Sequence, residues 1–156
     1  MRSLGDLMAG HELFAGLDAS TVMLLSGCAT NAAFAADEPL FVEGGIADRF
    51  FIIRHGRVAL EVTAPGSGRM IIETLGEGAV LGWSWMVAPY QWRFDAVAQE
   101  ATRAFVFDVG CLRSKMEEDP RVGYQLMSRF LPIIVDRLQA TRLRLLDLYG
   151  SATTLA

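Results

Sequence analysis

What this sequence lacks narrows it before any motif is read. None of its apolar runs approaches the roughly eighteen uncharged residues that a membrane span requires. The opening MRSLGDLMAGHELF has no signal-peptide core, so a cytoplasmic location is expected. An excess of positive charge is also missing: 14 Lys and Arg face 18 Asp and Glu, giving a net charge of −4. That balance argues against DNA or RNA as the main partner. Cysteine is scarce. Cys28 and Cys111 stand far apart in apolar surroundings and are expected to be buried thiols, neither a disulfide nor a metal site. His11 and His55 are isolated, and no Ser-His-Asp set, Walker loop, GxGxxG or metal-ligand spacing is present. The expectation is a protein that is not an enzyme and has no metal site.

What is there suits one domain over residues 1–156. Residues 1–33 read as helical, with apolar positions at Leu7, Leu13, Phe14, Leu17, Val22, Leu24 and Leu25. Asp18 or Ser20 would cap a helix over 21–29. From about Phe34 the pattern turns to short strands. Leu40 to Val42 is one strand, closed by the turn Glu43-Gly44-Gly45. Arg49 to Val62 reads as a hairpin about His55-Gly56, and Arg69 to Leu75 as the next strand. A strand over 102–108 leads to a helix from Cys111 to Glu118, and Pro120 opens the last helix.

The chain is organised around Leu75 to Ala98, LGEGAVLGWSWMVAPYQWRFDAVA. A glycine followed by one helical turn offers free backbone N–H groups, a site for an anion. The alternating strand that returns would wall the site with every second side chain. Beyond it, Tyr124, Met127, Leu131, Ile134, Leu138, Thr141, Leu145 and Leu148 are spaced alternately by three and four. That is a heptad seam, expected to pair two copies of the chain, with Pro132 expected to kink the helix. Arg121, Arg129, Arg137, Arg142 and Arg144 interleave with Asp136 and Asp147, which reads as an ordinary solvated face.

These motifs together resemble the cyclic nucleotide-binding domain family, of the catabolite activator protein type. The phrase Leu13-Phe14-Ala15-Gly16-Leu17 is similar to that family's opening, and LF.EG..AD.FF.I..G.V.LE fits residues 40 to 61. The resemblance runs from Leu13 to Tyr149. It implies an α+β fold: an antiparallel double-stranded β-helix, or jelly-roll-like β-roll, flanked by N-terminal helices and a long C-terminal helix. The roll would span 34–108, with the phosphate-binding cassette at 75–98 and the C-terminal helices at 111–149.

The family's cassette carries Gly-Glu and, after a loop, Arg-x-Ala. The glutamate accepts from a ribose hydroxyl and the arginine neutralises the phosphate. Gly82 keeps the glycine, but Trp83 stands where the glutamate belongs. Counting back from Ala96 and Ala98, Trp92 stands where the arginine belongs. Counted forward from Gly82, Arg93 falls near that place instead; the two counts put opposite residues in the pocket, because one residue of slip inverts a strand. The count from the alanines is preferred. Trp83, Trp85 and Trp92 either fill the vacated pocket as core or line an aromatic cleft.

Any bound cyclic AMP or cyclic GMP would take backbone N–H groups from Gly82, Trp83, Ser84 and Trp85, with Trp92 as wall, Arg93 as cation and Thr141 as base contact. The resemblance implies a non-enzymatic regulatory or sensor module with atypical, weak or lost nucleotide binding. The alternative is an accessory interaction subunit of a larger complex, for example an oxidoreductase, its pocket filled by its own tryptophans. A larger protein partner suits that alternative. Family members that read DNA continue into a helix-turn-helix domain; here the chain ends at Ala156, so direct DNA binding is not expected.

Overall fold

The computed structural model describes the backbone of residues 3–155 and the side chains of residues 3–148. Two short helices come first. Helix α1 (Leu4–Ala9) is held by a reciprocal cap between Ser3 and Asp6. Helix α2 (Ala19–Ser26) is capped by Asp18, whose side chain accepts from the Thr21 N–H. Hydrogen bonding to Thr21 holds the Asp18 carboxyl below its ordinary value. His11 ties this segment to the roll: it accepts the Leu13 N–H at Nδ1, so Nε2 carries the proton and donates to the Gly78 carbonyl at 2.6 Å. Its role is structural.

Eight strands follow: β1 (Ala29–Phe34), β2 (Pro39–Phe41), β3 (Arg49–His55), β4 (Val58–Ala64), β5 (Gly68–Leu75), β6 (Val80–Leu81), β7 (Asp95–Ala98) and β8 (Thr102–Asp108). They form two antiparallel four-stranded sheets, ordered β1-β8-β3-β6 and β2-β7-β4-β5. The chain closes with α3 (Val109–Glu118) and α4 (Pro120–Leu155). This is the β-roll with flanking helices that the motifs imply.

Three local expectations are corrected. The roll begins at Ala29, inside the stretch read as helical, because β1 pairs with β8 from Ala29↔Phe107 to Phe34↔Thr102. Its Ala, Thr and Asn side chains give too little contrast between faces for the alternation to register. Second, residues 49–62 are not a hairpin: β3 pairs with β6 and β8, while β4 pairs with β5 and β7. At Gly56 the chain changes sheets. Its φ is +101°, and a Cβ there would lie 2.7 Å from the Ala101 carbonyl oxygen, so only glycine passes. Third, Cys28 and Cys111 are not thiols but a disulfide, with their Cα atoms 5.6 Å apart. Antiparallel pairing of β1 with β8 sets the residue before one strand beside the start of the helix after the other, and the Asp108 N–H donates to the Cys28 carbonyl at 2.9 Å.

Residues 50–53 of β3 are all buried, because both faces of the strand are covered. On one face Phe51 meets Phe41 of the opposite sheet. On the other, Phe50 stacks on Phe107 at 4.3 Å and takes the edge of Phe130 from α4 at 5.0 Å. A strand covered on both sides reads as a continuous apolar run. Helix α4 has 36 residues, a length of about 54 Å, and runs unbroken through Pro132. Val122, Leu126 and Phe130 bury its first turns against the roll and α3. No described helix is long and apolar enough to cross a membrane.

Candidate functional site

The site grows from the end of β6. Gly82 follows it at φ +88° and turns the chain into a single 3-10 turn, Ser84–Met86. A loop through Pro89 then returns to β7, with the Trp92 N–H donating to the Gly45 carbonyl at 2.9 Å and the Gly44 N–H donating to the Trp92 carbonyl at 2.8 Å. These two bonds fix the facing of the strand. Trp92 is turned inward and is 5% exposed, whereas Arg93 is exposed and helps to line the small cavity beside Gly82.

The Trp92 indole stacks on Phe41 with ring centres 3.9 Å apart. A Cβ on Gly82 would come within 2.8 Å of that indole, so the ring lies directly against the glycine. The space left there is about 50 Å³, against the roughly 300–1,000 Å³ of small-molecule pockets. Trp83 and Ser84 line this small cavity. Trp85 does not: it is buried in the core, near-parallel to Phe50 at 5.9 Å, and its indole N–H finds no partner among the described residues. Arg113 donates to the Trp85 carbonyl and lays its guanidinium over the Tyr90 ring at 4.6 Å.

A larger space, about 320 Å³, lies just outside, between the second sheet and α4. Trp83, Phe94, Ile134, Leu138 and Thr141 line it, together with Arg137, Arg144 and Glu73. The Thr141 hydroxyl is spent on its own helix, donating to the Arg137 carbonyl at 2.9 Å. Arg137 lies over the Trp83 ring at 4.8 Å and donates to the Val80 carbonyl. Burial pulls its guanidinium below the ordinary value, and the charge of Glu73 opposes that. Arg144 pairs with Glu73 at 3.5 Å and donates to the Ile72 carbonyl at 3.0 Å. Reading Arg137 as part of a solvated face is thus wrong, because it folds back onto the roll, whereas Arg144 remains exposed while it pairs with Glu73. The signal was their heptad spacing with Thr141 on one side of α4.

The model of the cyclic nucleotide-binding domain family matches residues 32–119, more than half of the chain. The chain belongs to that family. Among curated relatives of this domain, the CRP-like cAMP-activated global transcriptional regulator of Mycobacterium tuberculosis is 26% identical over 145 residues, covering 93% of this chain. The chain spans 63% of that relative's length. Among solved structures, a cyclic nucleotide-binding domain from Methylobacillus flagellatus superposes with a TM-score of 0.79 at 23% identity, covering 92% of this chain and 81% of that one. The catabolite activator protein of Thermus thermophilus gives 0.70 at 22% identity, covering 89% and 63%. At those identities the structures establish the fold of the domain and no more.

Proposed function

We propose that this chain is a non-enzymatic regulatory module of the cyclic nucleotide-binding family whose cassette no longer seats a cyclic nucleotide. One observation carries the reading: the indole of Trp92 fills the space against Gly82, where a phosphate would need a cation and room. A buried phosphate without a paired cation carries a heavy desolvation cost, and the place against Gly82 is taken by the Trp92 indole while Arg93, which lines the remaining cavity, is exposed. Calorimetric titration with cyclic AMP and cyclic GMP is the test. No heat is expected from the folded protein with either nucleotide. Micromolar binding that Arg93→Ala abolishes would overturn the reading.

The assembly surface of this module is α4. Its inner face is used by Val122, Leu126 and Phe130, yet Tyr124, Leu131, Leu138, Leu145 and Leu148 of the heptad seam are exposed, Leu131 by 61% and Leu148 by 68%. A helix apolar on two faces has a second surface to bury, and a regular heptad seam is complementary to a copy of itself. A homodimer through α4 is the occupant. Sedimentation is expected to give a dimer for the wild type and a monomer for Leu131→Glu. A monomer in both would leave this seam to a different protein partner, the accessory-subunit reading.

A further inference from the structure

The 320 Å³ space under α4 is unlike the closed cassette beside it. Its walls are apolar and aromatic, and its charges do not cancel. Two guanidiniums, Arg137 and Arg144, face one carboxylate, Glu73, leaving one positive charge. Arg144 is the cation that Glu73 holds, at 3.5 Å. Arg137 has no carboxylate within ion-pair distance among the described residues. Of the five N–H groups of a guanidinium, among the described residues a protein oxygen accepts from it only at the Val80 carbonyl. A half-buried cation held against an indole, with donors unspent, is poised for an anion.

The rest of the lining limits what that anion carries. Trp83 and Phe94 offer ring faces, and Ile72, Ile134 and Leu138 offer alkyl surface. The polar groups are already engaged, Thr141 with its own helix and Glu73 with Arg144. A ligand rich in hydroxyls would leave them unpaired. We propose that this cavity binds a small flat apolar monoanion, of which an aromatic carboxylate is the simplest. Its charge sits at Arg137 and its ring lies against Trp83 and Phe94. The inference rests on the closed-cassette reading, since it moves the ligand from the cassette to the helix.

Calorimetry with 1-naphthoate and with its uncharged analogue 1-naphthamide tests it. The carboxylate is expected to bind about tenfold or more tightly than the amide. Arg137→Gln is expected to remove that preference while leaving the weak amide binding in place. Equal binding of the two compounds to the wild type, or no binding of naphthoate at millimolar concentration, overturns the proposal, and neither result depends on the variant folding. Displacement of naphthoate by cyclic AMP overturns the ligand class assigned here. Cyclic AMP binding that leaves naphthoate bound and is lost in Arg93→Ala would overturn the closed cassette alone.

Discussion

Reduction of the Cys28–Cys111 disulfide is expected to lower the thermal midpoint by about 10 °C. The bridge spans 83 residues of sequence. Closing a loop of that length removes chain entropy from the unfolded state worth about 4.5 kcal/mol in the simple loop-closure model. In a domain of this size each kcal/mol shifts the midpoint by about 2–4 °C. Within the fold, the bridge fastens the start of β1 to the first turn of α3, so its loss frees the N-terminal segment first. Melting followed by circular dichroism, with and without a dithiol reductant and in Cys111→Ser, measures the difference. Thiol titration of the unfolded, unreduced chain should find none free. A midpoint unchanged by reduction would mean that the bridge constrains nothing in solution.

The second large effect is expected at Trp92. Replacing a buried tryptophan by alanine costs about 3–5 kcal/mol, and here neighbours offer little relief. Phe41 loses its stacked partner, Gly82 loses the ring lying against it, and the vacancy joins the 50 Å³ already present. The vacated space is apolar and shaped by an indole, so free indole should refill it, as hydrophobic cavities of that size accept aromatic molecules. Urea denaturation of Trp92→Ala should show the loss, and added indole should restore part of it in the variant but not in the wild type. A loss under about 1 kcal/mol, smaller than any full aromatic truncation, would mean that the indole is not the plug described here.

How far the sequence could be read depended on whether a feature left a local mark. Gly44, Gly56 and Gly82 all adopt positive φ, and such glycines punctuate strands in a way that spacing reveals. Helix α4 was legible because its apolar repeat is periodic over many turns. The inward side of Trp92, just before β7, followed from the alternation through Phe94, Ala96 and Ala98. Other features had no local mark. The change of sheet at Gly56 depends on where Ala101 and Thr102 lie, some 45 residues on. The disulfide is a product of the β1–β8 register, not of cysteine spacing. Arg137 looked like a solvated charge because nothing in the helix itself says that Trp83 lies beneath it.

The bridge between Cys28 and Cys111 also makes a covalent ring of the entire roll. Every strand from β1 to β8 lies within that ring, and so does the exposed turn at 65–67 between β4 and β5. A protease that cuts one peptide bond there opens the ring without dividing the molecule. The two arms stay joined through sulfur, their sheets still paired on either side of the cut. A nicked chain therefore keeps its mass on an unreduced gel, and only reduction separates its halves.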